Sequence, residues 1–200
     1  MTMDTIHWKE DGLGGTIYRT QGAKALAYIL EPEPVTDKVA SVAEELSLTL
    51  VSISGMDWNR DLSPWKAEKV FKGEEDFSGG ADDFMEKLEN KVFPAIEEMA
   101  GSLPDHRMMA GISLSGLFAL YMGTRSSAFS AIASISGSLW FDGFTDFMKE
   151  KGLHTAVKRV YLSLGDREKK TGNPRMARVE SATLEMEGIL KEKGVETVFQ

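Results

Sequence analysis

Arg107–Tyr121 reads RMMAGISLSGLFALY, and the fold turns on how this stretch divides. Met108, Met109, Ala110 and Ile112 form a short apolar run with no turn residue before Gly111. Gly111-Ile112-Ser113-Leu114-Ser115-Gly116 follows, and Leu117, Phe118, Ala119, Leu120 and Tyr121 then read as a buried helix. Strand, tight turn and helix are the setting of a nucleophile elbow, in which Ser113 sits on a strained turn with its hydroxyl above the sheet edge. The Leu114 N–H then points at the oxygen of an attacked carbonyl. The pattern departs from G-x-S-x-G at one place: position 115 is serine, and the glycine comes one residue later. Strand and helix need small residues to approach each other here, and serine is nearly small enough. Taken alone, such a turn also serves as plain strand-to-helix punctuation. Its context has to decide.

Working outward, apolar runs of strand length recur on both sides. Upstream lie Gly14–Arg19, the almost wholly apolar Lys24–Leu30, and Leu48–Ser54; downstream lie Ala131–Ser136, Arg159–Leu164 and Val195–Gln200. The runs Lys24–Leu30 and Leu48–Ser54 show little alternation, the mark of strands covered on both faces. Between the runs, helical spacing appears in Lys38–Leu46, capped by Thr36 or Asp37, in Ala81–Leu103, in a short Phe141–Lys151 and in Pro174–Lys193. Pro94 predicts a kink or break around Phe93. Strand alternating with helix is the pattern of an α/β domain with a largely parallel sheet, opened here by an antiparallel N-terminal hairpin. Reactive residues in such sheets lie at the carboxyl ends of strands, where Ser113 falls. The segment from Gly55 to Gly80 holds Trp58, Trp65, Phe71 and Phe77 and reads as an ordered, functional loop.

Composition narrows the classes. With 200 residues and 42% hydrophobic content, residues 1–200 suit one domain. The balance of 23 basic and 31 acidic residues gives a net charge of −8, which argues against nucleic acid or an anionic membrane as partner. No apolar run approaches a membrane span and Met1–Glu10 has no signal-like core, so a cytoplasmic location is the default expectation. Zero cysteines exclude disulfides and thiolate chemistry, and three histidines without metal-ligand spacing argue against zinc.

AYILEP, SGMDWNRDLSPW, FSGGADDF, MAGISLSGLFALY, SISGSLWF and VYLSLGDRE run in order from residue 27 to 168. Together they resemble the esterase branch of the α/β-hydrolase superfamily, the esterase D-like and siderophore-esterase-like proteins. The resemblance implies an α/β-hydrolase fold, a serine hydrolase of small-molecule esters without metal or organic cofactor, and Ser113 as nucleophile. It implies an acid after the strand Arg159–Leu164, three residues past Gly165, which selects Glu168 over the alternative Asp166. A second oxyanion donor belongs in the loop after Lys24–Leu30. Pro32 and Pro34 have no N–H, which leaves the amides of Glu31, Glu33 and Val35, with Glu33 favoured. Asp57, Trp58, Asn59, Arg60, Asp61 and Trp65 form one candidate wall of a substrate cleft, and Ser138-Leu139-Trp140 another. Trp58 and Trp65 serve equally well to pin the loop, and Arg60 to pair with Asp57 or Asp61.

The base is missing. Triad order in this fold requires a histidine after the acid, and none of the three histidines follows Glu168. His106 stands at the far end of the Ser113 strand, roughly 23 Å away at the rise of a β-strand. His154 precedes the strand Arg159–Leu164, and His7 falls in an N-terminal segment expected to be mobile. The expectation is therefore a domain lacking its final stretch, on the order of 30 residues. Acyl transfer through the same serine, and an esterase-like scaffold that binds without turnover, are the alternatives to ester hydrolysis.

Overall fold

In the computed structural model, which describes residues 3–32, 35–101 and 104–200, the chain opens with a hairpin of β1 (Met3–Glu10) and β2 (Leu13–Thr20). Asp11 and Gly12 turn it, at φ 50° and 81°, the two positive values that a two-residue hairpin turn requires. Next come β3 (Ala25–Leu30), α1 (Asp37–Glu45) and β4 (Leu48–Ile53). The loop that follows carries α2 (Trp58–Asp61) and a small ribbon of β5 (Lys66–Ala67) with β6 (Phe77–Ser78). Then α3 (Ala81–Lys87), a π-helical turn at Leu88–Val92, and α4 (Phe93–Ala100) form one continuous rod. The chain continues through β7 (His106–Ile112), α5 (Leu114–Gly123), β8 (Ala131–Ile135), α6 (Phe144–Lys151) and β9 (Arg159–Ser163). A 3₁₀ turn at Met176–Arg178, α7 (Val179–Glu192) and β10 (Glu196–Phe199) complete it.

The eight-stranded sheet has the order β1-β2-β4-β3-β7-β8-β9-β10, parallel from β4 onward. The expected N-terminal antiparallel hairpin is β1 with β2, and β3 pairs in parallel with β4 and β7. One expectation needs correction: His7 belongs to a paired strand, not a mobile tail. Its Nδ1 lies 3.2 Å from Thr16 Oγ1, and the neighbouring Trp8 is buried, donating its indole N–H to Ser52 O. The predicted break near Phe93 is instead a π turn. Pro94 lacks an N–H and its ring crowds the carbonyl four residues back; the wider turn just before it absorbs both.

Crossovers between parallel strands are right-handed, so the direction of travel decides which face each helix covers. The path β7-α5-β8-α6-β9-α7-β10 runs one way along the sheet and puts α5, α6 and α7 on one face. The rod of α3 and α4, joining β4 to β7, falls on the same side, and α1, joining β3 to β4 in reverse, falls on the other. The main core accordingly lies under α3–α7, while a smaller cluster of Ala27, Ile29, Ala43 and Leu50 packs under α1. Beyond α1, Met108, Ala110, Ala133, Tyr161 and Val198 line an open apolar groove on the second face. Near the amino ends of the central strands, Glu97 binds Arg107 through both carboxylate oxygens at 2.6 and 2.7 Å and accepts the Tyr28 hydroxyl at 2.9 Å. Burial, then the Glu97 charge, holds the Tyr28 phenol far above its usual titration range.

Candidate active site

β7 delivers the chain to the carboxyl edge of the sheet, and there the backbone reverses within one residue. Ser113 has φ 58° and ψ −121°, a conformation an L side chain rarely adopts. It is held from both sides. Ser113 N–H donates to Ile135 O on β8 at 3.0 Å, while Ser113 O accepts from Gly116 N and Leu117 N in the first turn of α5. A β-carbon on Gly111 would lie 2.3 Å from the Ser115 backbone, and one on Gly116 would lie 2.9 Å from Gly111 O. Close approach of strand and helix thus depends on glycines at 111 and 116. Ser115 fits between them by folding its hydroxyl back onto the strand end, accepting from Ile112 N and donating to Ile112 O, both at 2.8 Å.

Two further serines follow β8 on the same edge. Ser138 Oγ is 3.2 Å from Ser113 Oγ, and Ser138 N–H donates to Ser113 O at 2.9 Å. Ser136, also at positive φ (47°), donates its hydroxyl to Glu168 Oε1 at 2.6 Å. Gly165 N–H donates to the same oxygen at 2.7 Å. The carboxylate after β9 is therefore fixed against its own turn and against β8. Asp166 is exposed and stands outside the cleft lining.

Ser113, Leu114, Ser136, Ser138 and Glu168 open into one cleft, with a cavity of about 150 Å³. Its walls come from the loop after β4 (Trp58, Asn59, Val70, Phe71, Glu74, Phe77), from Trp140, and from Met176 and Val179 at the start of α7. The loop is ordered by its own polar contacts: buried Ser63 donates to Asn59 O at 2.6 Å and accepts from Gly79 N at 2.9 Å. Trp58 and Trp140 thus face the cleft, while three other candidates stand elsewhere. Asp57 caps α2 by accepting from Arg60 N, and Arg60 pairs with Asp61 at 2.8 Å and Asp57 at 3.6 Å. Trp65 packs among Tyr121, Phe141, Phe144 and Phe147 and donates its indole N–H to Asp142 O.

The Leu114 N–H opens α5 and is one of the amides that a helix leaves without an internal partner. Of the amides considered for a second oxyanion donor, Glu31 N is committed to Ile53 O at 3.0 Å. Glu33 lies outside the described residues. The Glu31 carboxyl, half-buried at the end of β3, is raised above its usual range by burial. None of the three histidines reaches this edge: His106 begins β7 at the opposite end, His154 precedes β9 with Nδ1 accepting from Ala156 N, and His7 is in β1. Ser136, Val70, Glu74, Met176 and Val179 were not singled out in the sequence. Only Ser136 carried a signal, as the last residue of an apolar run ending beside the elbow.

Residues 6–197 match the family model described as "Putative esterase". An uncharacterized protein of Bacillus subtilis (strain 168), YbbA, is 29% identical over 150 residues, covering 74% of this chain and 60% of that protein. An IroE-like serine hydrolase from Shewanella oneidensis superposes with a TM-score of 0.79 at 19% identity, covering 100% of this chain and 73% of that one. The BES protein from Bacillus cereus gives 0.76 at 18% identity, over 100% and 87%. Siderophore hydrolase EstB from Aspergillus nidulans gives 0.74 at 17%, over 99% and 86%. The fold these likenesses show is that of the α/β-hydrolases. No helix among the described residues is long and apolar enough to cross a membrane.

Proposed function

Because the chain belongs to this esterase family, we propose that its cleft hydrolyses small-molecule esters through an acyl-enzyme on Ser113. The observation that carries the reading is the strained Ser113, which opens with the doubly hydrogen-bonded Glu168 into one aromatic cleft. Ser113 Oγ attacks the ester carbonyl and the alcohol leaves. The Leu114 N–H and an amide of the loop after β3, Glu33 or Val35, receive the developing oxyanion. Glu168 accepts a hydrogen bond from the imidazole base and holds its tautomer. Water then releases the acid. Trp58 and Trp140 contact substrate in this reading; Asp57, Arg60 and Trp65 support the walls from behind.

A serine hydroxyl needs a base within hydrogen-bond reach. None of the three histidines supplies it here, since none stands at the edge of Ser113; β10 brings the backbone to that edge. Gln200 O accepts from Leu164 N and Gln200 N donates to Leu162 O, directly beside Gly165. The same missing base favours a second reading, in which these 200 residues bind a ligand without turning it over. Hydrolysis of p-nitrophenyl acetate with added imidazole separates the two. Imidazole-dependent turnover above the Ser113→Ala background is the expected result, and rates equal to that background would leave only the binding reading. Partition of the acyl-enzyme between water and an added alcohol distinguishes hydrolysis from acyl transfer.

A further inference from the structure

We propose that the ester this cleft takes carries a positive charge, a quaternary or protonated amine on its acyl or alcohol part; this rests on the reading of the cleft as the ester site. Four aromatic rings line the cleft, those of Trp58, Phe71, Phe77 and Trp140, and its two charged lining residues are both acidic, Glu74 and Glu168. The negative faces of aromatic rings attract cations, tryptophan most strongly. Trp140 already takes one, with the Arg175 guanidinium 5.8 Å from its ring centroid. Glu168 is held by neutral donors, Ser136 and Gly165. Glu74 has no ion pair among the described residues; its backbone N–H donates to Phe71 O and its C=O accepts from Lys69.

Among the described residues no cation belongs to the cleft lining, and several near it are engaged elsewhere. Lys69 Nζ donates to the main-chain carbonyl of Glu74 at 3.0 Å. Arg175 binds Asp142 at 2.7 Å and Glu68 O at 2.6 Å, Lys169 binds Glu180 at 2.8 Å, and Arg60 binds Asp61 at 2.8 Å. An anionic ester would enter a wall whose charged lining residues are carboxylates, in a chain of net charge −8. A cationic one gains aromatic ring faces and a carboxylate.

Three alcohols of matched size test this: choline, its neutral carbon isostere 3,3-dimethylbutanol, and anionic isethionate. Each is titrated into the protein and read by quenching of the cleft tryptophans. The expected result is binding of choline at least about tenfold tighter than the isostere, with isethionate weaker than both. Glu74→Gln should narrow the choline preference by roughly two- to fivefold, the range of an exposed ion pair. Equal affinity for choline and 3,3-dimethylbutanol would overturn the proposal, as would isethionate binding as tightly as choline. A choline preference without imidazole-dependent turnover of acetylcholine would uphold the charge preference and overturn the hydrolase reading instead.

Discussion

Replacing Ser113 by glycine and, separately, by alanine isolates the strain stored at the elbow. Both variants lose the hydroxyl and its 3.2 Å contact with Ser138 Oγ, so that loss cancels in the comparison. What differs is the backbone. At φ 58° and ψ −121° a residue with a β-carbon carries roughly 1–3 kcal/mol of strain, which glycine lacks. Against this, glycine has more unfolded-state freedom, which costs roughly 0.5–1 kcal/mol relative to alanine. The difference leaves Ser113→Gly more stable than Ser113→Ala by roughly 0.5–2 kcal/mol. For a domain of this size that is about 1–8 °C in Tm. Differential scanning calorimetry of the two variants under identical conditions reads it directly. At an ordinary strand or helix position the order would be reversed, so alanine equal to or more stable than glycine would refute the claim of a strained nucleophile.

Other consequences are more local. Gly111→Ala drives a β-carbon to 2.3 Å from the Ser115 backbone; a loss of roughly 3 kcal/mol or more is expected from denaturant midpoints. Glu97→Ala strips Arg107 and Tyr28 of their shared partner and should cost roughly 3–5 kcal/mol in urea unfolding, the range for a broken buried pair. Tyr28 is held protonated in the fold, whereas the unfolded phenol loses its proton near pH 10. Its stabilising contribution is complete below that pH and is lost progressively above it, by up to about 1.4 kcal/mol per pH unit. Urea titrations from neutral pH to pH 11 should show that fall, and Tyr28→Phe should remove Tyr28's share of it, leaving that of Tyr121, whose phenol is also raised by burial and by Asp82.

The elbow was legible because everything it needs is local: a run of strand length, small residues in the turn, and a helix apolar on all sides, with every residue of α5 buried. The parallel sheet was legible for a related reason, since fully covered strands lose their alternation. Met3–Glu10 was not. Only Trp8 is buried in β1, and a strand that owes its order to pairing with β2 leaves little trace in its own composition. The walls of the cleft fail the same test in another way. Trp58 and Trp65 sit in one loop with similar neighbours. Which ring faces the cleft is decided by the pairing of β5 with β6 and by the aromatic side chains of α6, which lie far along the sequence. Ser136 meets Glu168 only because β8 and β9 are adjacent, and Met176 and Val179 reach the cleft only because α7 crosses back over the sheet.

Ser113 as an activated nucleophile whose acid is Glu168 is tested most directly by covalent labelling. The protein is incubated with a fluorophosphonate probe, with and without imidazole, and the modified peptide is identified by mass spectrometry. The predicted result is slow or no labelling unaided and an imidazole-dependent adduct on Ser113. That adduct should be absent in Ser113→Ala and formed more slowly in Glu168→Gln. An adduct on another residue, or imidazole-dependent labelling of Ser113 that is indifferent to Glu168→Gln, would contradict it.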